Sequence, residues 1–297
     1  MEKFVNCDPK WAYDHEDTIT YEDKLEYAKA KALYQMAYEA NLDKPETLNE
    51  KIIWLALNYK NPDISVASDK IKAKEYISSR IGEEYVAKLY GVYDSAQDID
   101  FDSLPNSFVL KSNCAWAAKA VRLVNNKAKT DFLSLQEEAK EWLRPWMTYK
   151  YNNMCIGDEN IEPRLLAEEN LSPNGELIKD YKIFYYHGKA QFIYVVDDRD
   201  KENQTKTFLD LHWNILPCHR YDVPASKALE KPAKLEEMIR LGEKLSKDFP
   251  LVRVDFYYVN DRVYVGEMTF TPGMFLSIEP KEWDYKLGEG LNLDGLE

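Results

Sequence analysis

Up to residue 81 apolar residues recur at helical spacing, and from Tyr85 they give way to short Val, Leu, Tyr and Phe runs broken by Pro, Asp and Ser. Leu25, Ala28, Ala32, Leu33, Met36 and Ala40 form one stripe and predict a helix over Glu22–Ala40. Thr47-Leu-Asn-Glu50 reads as a capping box that opens a second helix carrying Ile52, Ile53, Leu55 and Ala56. A third helix begins near Asp69 and stops before Gly82. Phe108-Val-Leu-Lys111 reads as a buried strand ending in a cation, and residues 131–143 return to helix. Arg164–Leu171, Asp180–Phe184 and Gln191–Val196 read as strands, the first followed by a Ser-Pro-Asn-Gly turn. Pro232 then opens a helix through Leu235, Met238, Ile239 and Leu245. Helices mixed with mostly antiparallel strands predict an α+β arrangement.

The segment with the most chemistry is the last pair of apolar runs, residues 252–259 and 263–270, with Asn260-Asp261-Arg262 as the turn between them. A three-residue loop pairs Val259 with Val263, Tyr257 with Val265, Asp255 with Glu267 and Arg253 with Thr269 on one face. Val254, Phe256, Tyr258, Tyr264, Gly266 and Met268 then form the opposite, apolar face. Two carboxylates set directly opposite each other destabilise a sheet unless a cation lies between them. A hard ion such as Mg²⁺ takes oxygen ligands and leaves positions open for phosphate, and Arg253 beside the pair suits a phosphate or a developing oxyanion. The plainer alternative is a solvated hairpin face in an acidic protein.

Composition narrows the classes. With 45% hydrophobic and 31% charged residues, the 297-residue chain has material for one large or two modest cores, which excludes disorder. A net charge of −13 argues against nucleic acid as a partner. No run of 18 apolar residues predicts a transmembrane segment, and Met1-Glu-Lys-Phe-Val-Asn-Cys-Asp8 lacks a signal-peptide core, so a cytoplasmic location is expected. Cys7, Cys114, Cys155 and Cys218 lack the spacing of a disulfide framework or a zinc site, and His15, His187, His212 and His219 show no ligand or triad pattern.

Arg-x-Asp, then a hairpin, then Glu-x-Thr-x-x-Pro-Gly resembles the metal-binding end of ATP-grasp enzymes, most closely the teichuronopeptide-biosynthesis branch. The resemblance runs from about Lys44 to Gly273, through Thr47-Leu-Asn-Glu-Lys51, Ser68-Asp-Lys70, Ile81-Gly-Glu-Glu-Tyr85, Gly91-Val-Tyr-Asp-Ser95 and Phe108-Val-Leu-Lys111. It implies an ATP-grasp fold of two α+β lobes with nucleotide held between mostly antiparallel sheets. The expected organisation is a helical segment over 1–65, a catalytic region over 66–275 with its hinge near 164–171, and a tail over 276–297.

The same resemblance implies ATP and Mg²⁺, with Asp255, Glu267 and Thr269 at the metal. Lys111 and Lys182 stand near phosphate, and Asp180 near the ribose hydroxyls. Glu168, Glu169 and Leu171 form the hinge at the adenine edge, with Glu168 also contributing its side chain. Arg253 and Arg199 stand near the reacting groups. Two readings stay open for Lys111, a phosphate contact or a snorkelling strand-end lysine, and for Arg199, a site residue or part of the charge run Asp197–Lys201. The chain departs from the pattern after Lys111, where the family's small Gly/Ser loop is replaced by Ser112-Asn-Cys-Ala-Trp-Ala-Ala118, and no glycine occurs between Gly91 and Gly157.

The implied reaction is ATP-dependent joining of a small-molecule or saccharide carboxylate to an amino-acid amine through an acyl phosphate. In this branch the carboxylate belongs to a uronic acid or peptide of a bacterial surface polysaccharide. Two alternatives remain at this stage: a glycosyltransferase-like polysaccharide enzyme, and an ATP-grasp module that binds without turnover.

Overall fold

Threonine caps set the helical N-terminal part. In the computed structural model, which describes residues 8–115, 120–153, 156, 160–172, 178–197, 204–220, 223–225, 228–275 and 277–296, both Thr20 and Thr47 close reciprocal capping boxes. After the short α1 (Pro9–Asp14), these boxes open α2 (Tyr21–Met36) and α3 (Leu48–Asn58). Helix α2 stops before the expected Ala40 because Ala37 turns into the left-handed region at φ 57°. The expected third helix is α5 (Lys72–Ile81), preceded by a further short helix α4 (Pro62–Ser68); between the two the Asp69 Oδ1 accepts the Ile71 amide at 2.8 Å.

Among the described residues, nine longer strands form two antiparallel sheets. The small one has β1 (Leu89–Tyr93), β4 (Leu165–Glu168), β2 (Phe108–Ser112) and β3 (Val121–Val124) in that order. Its core side, with Phe108, Leu110, Leu165 and Ala167, packs on Leu135, Ala139 and Trp142 of α6 (Phe132–Trp142). The strand expected to run to Leu171 ends at Glu168, and the Ser-Pro-Asn-Gly turn lies mostly outside the described residues.

The large sheet runs β10 (Arg262–Thr269), β9 (Leu251–Val259), β5 (Asp180–Tyr186), β6 (Lys189–Asp197) and β7 (Thr205–Leu209). One face, with Ile183, Tyr185, Val254 and Phe256, packs on α8 (Leu235–Ser246) and α5; α7 (Tyr149–Asn152) lies nearer the N-terminal helices. The other face divides. Phe184, Tyr186, Phe192 and Phe208 bury themselves against the N-terminal helices and α9 (Glu282–Gly288), and the remaining positions carry charge. Two-residue strands β8 (His219–Arg220) and β11 (Ile278–Glu279) pair beside this sheet.

The hairpin corrects the sequence reading. Its turn has two residues: Arg262 pairs with Val259, and Asn260 and Asp261 occupy positive φ of 50° and 58°, the conformation a tight right-twisting hairpin needs and Asn and Asp tolerate. The expected pairs Val259 with Val263 and Tyr257 with Val265 are therefore off by one; Val263 faces Tyr258 and Val265 faces Phe256. Val263 and Val265 belong to the apolar core, whereas Tyr264 lies opposite Tyr257 on the charged face. Gly266 has no partner, and this one-residue bulge restores the register, so Asp255 meets Glu267 and Arg253 meets Thr269 as expected. Glycine suits the bulge because a Cβ there would lie 2.4 Å from the Tyr257 ring.

Candidate active site

Register across three strands builds the site. Lys182 on β5 faces Asp255 on β9, which faces Glu267 on β10; the adjacent row is Phe184, Arg253 and Thr269. Strand alternation puts Asp180 two residues from Lys182 on the same face. The sheet thereby gathers six of the predicted residues, Asp180, Lys182, Arg253, Asp255, Glu267 and Thr269, onto one patch.

Each carboxylate has cationic partners. Arg253 donates to Asp255 from Nε at 2.6 Å and from Nη2 at 2.9 Å, and Nη2 also donates to Thr269 Oγ1 at 3.0 Å. Lys182 pairs with Asp255 and stands 3.4 Å from Asp180. Lys70 Nζ lies 3.2 Å from Glu267, and Arg253 lies 3.7 Å from it. Three carboxylates (Asp180, Asp255, Glu267) therefore face three cations (Lys70, Lys182, Arg253), and the patch is close to neutral within a chain of net charge −13. Burial pushes the Glu267 carboxyl up, but Lys70, then Arg253 and Lys182, more than offset this and bring it down to about 2. Asp255 is 2% exposed, whereas the Glu267 side chain keeps 38% of its surface open, so the pair is accessible from the Glu267 side.

The Glu267 charge makes stability depend on acidity. A carboxyl held below its ordinary 4.5 binds fewer protons folded than unfolded, so its contribution is fully present above about pH 4.5 and lost as pH falls toward 2. Melting temperatures of the wild type and Glu267→Gln should accordingly converge over that window. A gap unchanged from pH 6 to pH 2.5 would show that the charge carries none of the difference.

A second ion cluster lies on the small sheet. Glu168, 8% exposed, binds Lys111 Nζ through Oε1 at 2.5 Å and Lys74 Nζ through Oε2 at 2.8 Å. Lys74 also donates to the Ala87 carbonyl at 2.7 Å. Burial raises the Glu168 carboxyl, and the Coulombic pull of Lys111 and Lys74 overcomes it, leaving a net lowering; burial lowers the Lys74 ammonium in turn. Both Glu168 oxygens are thus occupied. The Glu169 amide also donates, to Lys88 O at 2.8 Å.

Lys70 and Lys74 had no assigned role in the sequence reading, although Ser68-Asp-Lys70 is among the motifs that carry the resemblance. Four residues apart, they reach different sheets, Lys70 to Glu267 and Lys74 to Glu168. Lys70 Nζ also donates to Ala115 O at 3.3 Å, and its amide donates to Asn113 O at 3.1 Å. The loop after Lys111 therefore lies beside the hairpin carboxylates. Arg199 and Trp116 fall outside the described residues.

The donor set suits Mg²⁺, which uses one or two carboxylates plus waters and phosphate oxygens rather than a full protein cage. Asp255, Glu267 and the Thr269 hydroxyl are all hard oxygen donors. Among the described residues no group of three or more His, Cys, Asp or Glu side chains gathers into a metal cluster, as a structural zinc site would require. No described helix is long and apolar enough to cross a membrane.

A family model described as TupA-like ATPgrasp matches residues 50–292. Among solved structures, D-alanine–D-alanine ligase from Bacillus anthracis is similar at 18% identity and a TM-score of 0.46, covering 76% of this chain and 65% of that one. D-Alanine–D-alanine ligase from Helicobacter pylori is similar at 14% identity and a TM-score of 0.45, covering 83% and 67%. N5-Carboxyaminoimidazole synthetase from Staphylococcus aureus, complexed with ADP, is similar at 15% identity and a TM-score of 0.43, covering 72% and 48%. The chain thus spans less than two thirds of the Bacillus anthracis enzyme and about half of the synthetase. No curated protein matches the chain.

Proposed function

Because the chain belongs to the TupA-like ATP-grasp family, we propose that it is an ATP-dependent ligase joining a carboxylate to an amine through an acyl phosphate. The observation that carries this reading is the facing pair Asp255 and Glu267, set among Arg253, Lys182 and Lys70. The carboxylate is taken to be a uronic acid or peptide of a bacterial surface polysaccharide, and the amine an amino acid.

Asp255, Glu267 and Thr269 would hold Mg²⁺, which supplies charge neutralisation at the phosphoryl oxygens when bound. Lys182, Arg253 and Lys70 provide positive charge beside those oxygens, with Arg253 aligned by its two bonds to Asp255. Lys111, oriented by Glu168, supplies a further point charge from the small sheet. Because the Glu168 oxygens and the Glu169 amide are engaged, the hinge groups this reading assigns to the base are the Glu169 carbonyl and the Leu171 amide. Asp180 is assigned to the ribose hydroxyls and Arg199 to the acceptor. In the reaction a substrate carboxylate oxygen bonds to the γ-phosphorus as its bond to the β–γ bridging oxygen breaks and ADP leaves. The amine nitrogen then bonds to the acyl carbon, phosphate departs with the acyl C–O electron pair, and the nitrogen loses a proton.

The test is phosphate release from ATP with an acidic oligosaccharide and each amino acid supplied in turn. Release that needs both substrates, with an amide in the product mass, is the expected result. Mg²⁺-dependent ATP binding without release under any pair would replace the ligase with the binding module that the glycine-free Ser112–Ala118 loop favours.

A further inference from the structure

We infer that Asn170 is a positioning residue, holding the hinge in the arrangement of acceptor and donor that fits adenine and opposes guanine. The inference rests on the ATP-site reading above, in which the Glu169 carbonyl and the Leu171 amide face the base. Asn170 stands between those two groups and is 7% exposed. Antiparallel pairing of β4 with β2 sets Glu168 opposite Val109, which carries the chain on toward Ser107, just before β2, and Asn125, just after β3. There the Asn170 Nδ2 donates to Ser107 Oγ at 3.1 Å and to Asn125 Oδ1 at 2.8 Å. Its Oδ1 accepts from the Ser172 amide at 2.9 Å. Both amide hydrogens and the carbonyl oxygen are thus used within the protein, so this side chain serves the hinge and not the ligand.

These bonds restrain the backbone that faces the base. The ring closed between Asn170 Oδ1 and the Ser172 amide contains the peptide joining Asn170 to Leu171, so it sets the direction of the Leu171 N–H. On the other side, the Glu169 amide donates to Lys88 O at 2.8 Å, and a Glu169 carboxylate oxygen accepts from the Lys88 amide at 3.3 Å. The hinge is therefore tied to both flanks of the small sheet, toward β1 through Glu169 and toward β2 and β3 through Asn170.

Base chemistry turns this restraint into selectivity. Along its pairing edge adenine presents the N6 donor and the N1 acceptor, whereas guanine presents the O6 acceptor and the N1 donor. A carbonyl at 169 and an N–H at 171 match adenine and set like against like with guanine. Guanine would fit only if both peptides flanking Asn170 turned over, bringing the Asn170 N–H and C=O to face the base. Turning the second peptide opens the bond to Ser172 and leaves a buried donor and acceptor unmade. Unpaired buried groups of this kind give a hydrogen-bonding site its discrimination against the wrong ligand.

The test is calorimetric titration of the full chain with the Mg²⁺ complexes of ATP, GTP and tripolyphosphate, with melting curves on the same samples. The wild type is expected to bind ATP at least about a hundredfold more tightly than GTP. Asn170→Ala should narrow that ratio by at least about tenfold and leave tripolyphosphate affinity within about twofold of the wild type. Asn170→Asp keeps an oxygen for the Ser172 amide and should retain most of the preference. Asn125→Ala removes one of the two bonds the Asn170 amide donates and should narrow the ratio by about threefold, which carries the test if Asn170→Ala fails to fold. An equal loss for ATP, GTP and tripolyphosphate in the folded variants would show scaffolding alone and overturn the inference. A preference for ATP that is absent from the wild type, or that survives both alanine variants unchanged, overturns it too and leaves the ATP site standing. A folded wild type that binds none of the three removes the ATP site and the hinge role with it.

Discussion

Asp255→Ala is expected to abolish Mg²⁺-dependent ATP binding, lowering affinity by more than about a hundredfold in calorimetric titrations with and without the metal. Asp255 occupies the centre of the three-strand row and accepts from Arg253 twice and from Lys182. Its removal takes away an oxygen donor and also leaves two buried cations with only Asp180 and Glu267 to share. The second effect destabilises by roughly 3–5 kcal/mol, so loss of binding has to be read beside a measure of folding. Asp255→Asn keeps the shape, and Glu267→Ala removes the more open carboxylate. Both should lose the metal dependence with less damage to the fold. Metal-dependent affinity surviving in all three variants would eliminate the hairpin as the metal site.

A comparable loss of stability is expected from Glu168→Ala, about 3–5 kcal/mol and a fall in melting temperature on the order of 10 °C. The cause lies in the partners. Lys74 and Lys111 are both largely buried, and Glu168 is the one anion within salt-bridge distance of either among the described residues. Adding Lys74→Met to Glu168→Ala should recover part of the loss, because one stranded ammonium is replaced by an apolar side chain of similar length. Additive losses in the double variant would mean that the pair does not act as a unit. Lys111→Met alone is expected to cost less stability but to weaken ATP binding.

The hairpin was legible because strand periodicity is local: with Asp255 and Glu267 both alternating against Val and Phe, one face had to collect the charge. The length of its turn was not legible. A three-residue loop and a two-residue turn followed by a bulge deliver the same register at Asp255 and Glu267, and only the fates of Val263, Tyr264 and Val265 distinguish them. Gly266 was the available sign, since an isolated glycine inside a strand pattern marks a bulge or a close approach. Lys70 and Lys74 were invisible for a different reason. An ion pair between residues nearly two hundred or nearly one hundred positions apart has no periodic signature, and lysine beside a helix N-terminus otherwise reads as surface charge. Glu168 was assigned to the nucleotide from resemblance, and its pairing with Lys74 and Lys111 had no sequence signature of its own.

The spacing of Lys70 and Lys74 constrains how the two sheets can move. One end of this short stretch is clasped by the large sheet and the other by the small one, while Asp69 fixes its backbone through the Ile71 amide. Such a stretch acts as a strut. The lobes can swivel about it with both clasps closed, but drawing them apart requires one lysine to let go. Of the two, Lys70 holds the more solvent-open carboxylate, so its clasp on Glu267 is the one expected to open first.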